Sequence, residues 1–283
     1  MLSSDERGLI RSSVREIAQL ADRLTRTAVQ GPPRPGSLAS AHIQSELNLP
    51  SFGGGPIVQE ANFSIMLATS AGVDHVRAYT SALSHEQGTV AMGTLVRGAV
   101  AALAKSYYLL SADSTAELIA RHVAVTTDEL KYPLRYSRFQ ERDGRVTDGS
   151  EYPGVHTRIL AELGLTRISV PGEQEKVRSL LSAATTDLAV GGEVYSQLSG
   201  AAHAVTSALG MYLLRDNTAR LEYPRQIAFE QVGYLFAGIT IVAERVLTVF
   251  DLGEADHERW RTARGRAEAA LLPIRDAVLA EDQ

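Results

Sequence analysis

Apolar residues recur at three- and four-residue spacing along most of this chain, and no series of alternating apolar and polar runs is present that could build a sheet. That pattern restricts the chain to packed helices. Residues 3–29 show it plainly: Ile10, Val14, Ile17, Ala21 and Leu24 fall on one face, with Arg11, Arg15, Arg23 and Arg26 mostly off it. Ser3 and Glu6 have the spacing of a capping box, in which each side chain satisfies a free N–H of the first turn. Further helices are predicted over residues 57–85, 89–111, 114–132, 156–163, 173–189, 193–214, 224–250 and 254–283. Ser114 and Glu117 repeat the capping spacing, Pro133 stops the helix before it, Pro224 suits a helix start, and Pro273 predicts a kink.

The helix over 89–111 is rich in small residues, among them Gly93, Gly98, Ala99 and Ala102. Small side chains let helix backbones approach closely, so this helix is placed at the centre. Residues 140–153 are polar and read as a loop or a short hairpin turning at Asp143 and Gly144, and residues 167–170 as one extended stretch. The fold class expected is all-α, a multi-helix bundle of about eight helices.

Residues 30–56 break the helical pattern with GPPRPGS and SFGGGP. Proline and glycine continue a helix only at a cost, and a long loop inside a compact domain is uncommon, so this segment is expected to be a linker or a mobile lid. The glycine run at 53–55 lacks the Lys-Ser/Thr of a phosphate-cradling loop. Residues 1–56 are therefore set apart as an N-terminal helix with its loop and 57–283 as the main helical bundle, an arrangement that also allows one domain overall.

Composition narrows the function classes. The 28 Lys and Arg stand against 33 Asp and Glu, a net charge of −5, which argues against a general binder of double-stranded DNA. With no cysteine there are no disulfides, thiolate metal sites or cysteine nucleophiles, and a reducing, cytoplasmic location is expected. The N-terminus has no continuous apolar core and does not read as a secretory signal. The most apolar run, residues 232–243, is shorter than the roughly 20 residues a membrane span needs, so no membrane association is expected.

Motifs for metal and nucleophilic chemistry are sparse. Only one Glu-x-x-His occurs, at Glu254 and His257, where a di-iron bundle needs two, and neither HExxH nor G-x-S-x-G is present. No metal and no cofactor are expected. The unusual residues lie in two helices. Tyr195, Ser199 and His203 follow one another at four-residue spacing and share a face, with Ser196 at its edge, where a core helix would carry Leu or Val. They read either as a small-residue packing seam or as a polar pocket whose imidazole handles protons or phosphate. Arg97 is flanked by Leu95, Val96, Ala99 and Val100, so part of its side chain should be buried and must find an acceptor. Asp74 is the expected structural partner and a ligand phosphate the alternative. Arg121 and His122 are read as surface or interhelix pairing.

The run DHVRAYTSALSHEQGTVAMGTLVRGAVAALAKSYYLLS and the later YSQLSGAAHA resemble a broad group of bacterial helical proteins similar to the HEPN-like superfamily, which includes ribonucleases and nucleotide-binding modules. The resemblance covers residues 74–214 and implies a HEPN-like core with Asp74, Arg97, Tyr195, Ser199 and His203 sharing one site. It departs from the family's ribonuclease motif, Arg-x(4–6)-His: His203 has no arginine at that distance upstream, and Arg77 and His85 miss it by one residue. What the resemblance implies is a module that binds a nucleotide, an RNA end or another anionic small ligand between helices, with the ribonuclease motif not intact. A small-molecule enzyme using His203 as acid/base and Arg97 as anion clamp is the second reading. A non-catalytic protein acting as a homo-oligomer, through the helix over 224–250, is the third.

Overall fold

Ser3 closes the first helix as its spacing predicts. Its hydroxyl accepts the Glu6 N–H at 3.2 Å and its own N–H donates to the Glu6 carboxylate at 2.7 Å. The helix that follows, α1 (Ser4–Gln30), buries Ile10, Val14, Ile17, Ala21 and Leu24, the face read from the sequence. The structure is a computed structural model and describes residues 2–51, 55–84, 90–130, 138–140, 146–184, 190–203, 205, 212 and 223–281.

After α1 come α2 (Leu38–Gln44), α3 (Ile57–Ser84), α4 (Val90–Leu110) and α5 (Thr115–Glu129). A two-stranded antiparallel hairpin, β1 (Arg138–Gln140) with β2 (Val146–Asp148), pairs Phe139 with Thr147; its expected turn at Asp143 and Gly144 lies outside the described residues. Then follow α6 (Tyr152–Glu162), α7 (Glu173–Ser182), α8 (Val190–Ala202), α9 (Arg225–Val249) and α10 (Glu254–Glu281). The protein is an all-α bundle, and the described residues hold ten α-helices rather than about eight. One of the additional helices is α2, seven residues long and capped by the Ser37 hydroxyl on the Ser40 N–H. It sits inside the segment that proline and glycine density had marked as loop.

That segment is built into the fold instead of lying over it as a lid. Asn48 accepts the Val58 N–H at 3.0 Å, Ser51 donates to Glu60 at 2.6 Å, and buried His42 lies 3.0 Å from the Thr115 hydroxyl. Residues 52–54 of its glycine run are outside the described residues.

The small-residue helix α4 is central, as expected: it packs against α3, α7, α8 and α9. Gly98 permits the closest approach. A Cβ there would lie 2.7 Å from the imidazole of His75 on α3, so a side chain at 98 requires that ring to move. The N-terminal helix α1 packs against α3, α9 and α10, and one apolar cluster runs from Leu2 to Val278. Arg225, the first residue of α9, pairs with Glu6 on α1 and with Glu281 at the end of α10. Helix α9 is long and apolar enough by composition to cross a membrane, and over half of its most apolar window is buried inside the bundle.

Helix ends differ from the sequence reading in several places, and α6 begins at Tyr152, four residues before its predicted start at 156. Helix α5 stops at Glu129, and α7 stops at Ser182; residues 131–132 and 185–189 of the predicted extensions lie outside the described residues. Helix α8, predicted over 193–214, spans Val190–Ala202, and residues 204, 206–211 and 213–214 of the predicted extension lie outside the described residues. The Val205 N–H reaches back to the Gly200 carbonyl at 2.9 Å, the six-to-one bond with which a chain leaves a helix. Pro273, by contrast, is carried inside α10.

Candidate functional site

Two helices that pack against α4 supply the groups around Arg97. Helix α7 begins with Glu173, and α8 carries Tyr195 in its second turn. Arg97 projects between them. Its Nη2 donates to the Tyr195 hydroxyl at 3.0 Å and lies 3.4 Å from Glu173 Oε2, and its guanidinium sits over the Tyr195 ring, 5.3 Å from the centroid. Tyr195 in turn donates to the same Glu173 oxygen at 2.5 Å. The other terminal nitrogen, Nη1, lies 3.3 Å from His203 Nε2. With the ring proton on Nδ1, that nitrogen accepts from Arg97. His203 is exposed, one residue beyond the end of α8, so its contact with Arg97 lies at the surface, as does the contact of Glu173 with the other terminal nitrogen.

Asp74, the expected partner of Arg97, does not fill that role. It is solvent-exposed on α3, and the carboxylate that reaches the guanidinium is Glu173. Sequence reading passed over Glu173 because an acidic residue in a first turn is explained by the helix dipole alone. Ser199 is half-buried and holds the Val205-side exit of α8 by accepting the His203 N–H on its carbonyl at 3.0 Å. Ser196 belongs to the next turn, where Gln174 bridges α7 to the Ser196 hydroxyl and the Gly192 carbonyl, both at 3.3 Å.

The electrostatics keep Arg97 charged and Tyr195 protonated. Burial alone would lower the Arg97 pKa, but Tyr195 and Glu173 more than offset it and the guanidinium is held charged. Burial, and then the bond to Glu173, raise the Tyr195 phenol above its ordinary range, so at neutral pH it stays protonated and is no general base. The Tyr195 hydroxyl on the Glu173 carboxylate is the hydroxyl–base contact of this site, and that carboxylate raises the phenol's pKa further.

A second polar cluster is buried under α3, α5 and α6. His122 and His156 meet edge to face with centroids 6.4 Å apart. His122 Nδ1 lies 3.4 Å from the Ser64 hydroxyl, His156 Nδ1 3.4 Å from that of Thr127, and Glu60 is 4.0 Å from His122 Nε2. Burial, the neighbouring imidazole and Lys105 push His122 down to about 3, and burial takes His156 to about 4. Beside it Arg121 follows the pairing reading: it binds Glu117 at 2.6 Å and the Tyr108 carbonyl, and stacks on the Tyr108 ring. Glu254 is taken up by Arg261 at 2.5 Å, and among the described residues no three His, Asp or Glu side chains converge as metal ligands.

No protein-family model, curated protein or solved structure matches this chain.

Proposed function

We propose that this protein binds a phosphate-bearing small ligand, a nucleotide or an RNA end, at the Arg97–His203 edge, as a HEPN-like helical module without ribonuclease activity. One observation carries the reading: Arg97 turns one nitrogen toward an imidazole rather than toward a carboxylate, at the solvent side of a guanidinium already fixed by Tyr195 and Glu173. Arg97 Nη1 and His203 Nε2 lie 3.3 Å apart there, so a phosphoryl group that takes the place of the imidazole accepts from Arg97, and from His203 as well once Nε2 carries the ring proton. Asp74 falls outside this site, and Tyr195 acts on the ligand only through Arg97. Binding is favoured over catalysis because Tyr195, though hydrogen-bonded to Glu173, is kept protonated by burial and by that carboxylate.

Titration calorimetry with inorganic phosphate, AMP and a 5′-phosphorylated oligoribonucleotide tests the proposal against Arg97→Met and His203→Gln. The expected result is saturable binding that weakens with salt and is lost in Arg97→Met, with the RNA remaining uncleaved. Equal binding by Arg97→Met, or no binding of any of the three, overturns it.

A further inference from the structure

The connection between α6 and α7 carries the pattern of a strand without a strand beside it. Gly164, at a φ of +64°, ends α6, and the Leu165 N–H donates back to the Leu160 carbonyl at 2.8 Å. From Leu165 to Gly172 the backbone runs without helix, turn or bend, until α7 starts at Glu173. Thr166, Ile168 and Val170, all β-branched, alternate with Arg167 and Ser169, which is the period of a strand. Among the described residues, no hydrogen bond reaches residues 166–170 by backbone or side chain. Helix α5 does not cover them closely, since a cleft of about 390 Å³ lies between residues 167–170 and Ala124 and Asp128 of that helix. Residues 166–169 are exposed, and Ile168 keeps 36% of its surface in water. A straight row of free N–H and C=O groups is a template for another strand.

The order of residues in this row selects a second copy of itself. In a two-fold antiparallel pair centred on Ile168, that residue faces the partner's Ile168, Arg167 faces the partner's Ser169, and Thr166 faces the partner's Val170. Apolar and β-branched groups then meet one another, and no like charges stand directly opposite. Sliding the copies by one pair in either direction is worse. One slide sets Arg167 against the partner's Arg167, and the other sets it against the partner's Pro171, which has no N–H to donate.

We propose that residues 166–170 are a homodimer edge, to which a second copy of this chain adds its own residues 166–170 as an antiparallel strand. Self-association then lies at the α6–α7 connection and not on α9, over half of whose most apolar window is buried. So short a strand makes a small interface, and the dimer is weak and concentration-dependent.

Sedimentation of the full chain over a range of concentrations should show monomer passing into dimer. Ile168→Lys, which sets two ammonium groups opposite each other, should remain monomeric at every concentration while melting as the parent does. Register is read by disulfide formation under oxidised glutathione, for which the cysteine-free chain gives no background. Opposite residues of an antiparallel pair lie about 4.5–5.5 Å apart at Cα, within disulfide reach. Ile168→Cys should cross-link about tenfold or more faster than Asp74→Cys, an exposed position on α3 whose thiols meet only by collision. Arg167→Cys mixed with Ser169→Cys should give the mixed dimer in preference to either dimer of one variant. A parent that stays monomeric throughout, an Ile168→Lys that dimerises as the parent does, or equal cross-linking at 168 and 74 overturns the proposal. Should Ile168→Lys not fold, the cross-linking comparison alone decides.

Discussion

The two buried imidazoles of His122 and His156 make acid stability a direct test of the fold. Both are neutral in the folded protein, with pKa values of about 3 and about 4, while in the unfolded chain each returns to about 6.5. Below that value the unfolded chain binds two protons that the folded one does not, so stability is complete above pH 6.5 and falls as pH drops toward 4. Each group costs about 1.4 kcal/mol per pH unit in that window, so at pH 5 the pair together removes about 4 kcal/mol. A domain holds about 5–15 kcal/mol in total, so the loss is a large fraction of it. Urea unfolding at pH 7.5 and pH 5 measures the change, with the double variant His122→Gln, His156→Gln as reference. The glutamines keep a polar group opposite Ser64 and Thr127 but cannot titrate, and carboxylate contributions cancel in the comparison. The parent should lose about 4 kcal/mol more than the double variant between the two pH values. A difference below about 1 kcal/mol would show that the imidazoles charge inside the folded protein, with Glu60 at 4.0 Å as the group that accepts them, and the buried neutral pair would be refuted.

Three other outcomes follow from contacts in the structure. Arg97→Met should cost only about 1 kcal/mol in chemical denaturation, because Glu173 is 55% exposed and can return to water; a loss of 3 kcal/mol or more would mean the pair is structural. Gly98→Ala should lower the melting temperature by a few degrees as the His75 ring is displaced, and His75→Ala should restore part of it; an unchanged melt would show that the ring turns aside at no cost. Asn48→Ala should raise hydrogen exchange at the Val58 amide, which loses its acceptor, while leaving the α1 interior unchanged; equal exchange in both proteins would return residues 45–51 to a loosely attached loop.

The residues that made the bundle legible were those whose meaning is local. Ser3, Ile10 and Leu24 act within one or two turns, so spacing alone places them, and the small residues of α4 announce close packing wherever they occur. Helix ends were less legible, because what stops α8 is a carbonyl bond from Gly200 to Val205 with no proline to mark it. Helix α2 was missed because proline and glycine density hides a short capped helix. The candidate site divided the same way. Arg97, Tyr195 and His203 stand out as polar groups in apolar or small-residue helices, whereas the partner of Arg97 is fixed by how α7 lies against α4. Asp74 and Glu173 carry the same charge, and only the packing of the helices selects between them. Gln174 and the pairing of His122 with His156 are likewise products of tertiary contact, at sequence separations no helical period reports.

Arg225 has a consequence for the order in which the molecule can be made. It joins Glu6, 219 residues earlier, to Glu281 near the other end, and α1 is flanked by α9 and α10. Helix α1 is thus synthesised well before the two helices that complete its surroundings. At about 5–20 residues per second, α1 waits roughly 10–45 s with the side that will face α9 and α10 uncovered, shielded only where α3 has reached it. Nascent chains arrested before residue 225 should therefore expose Leu20 and Leu24 to protease or to a holding chaperone, and release of the full chain should close that window in one step.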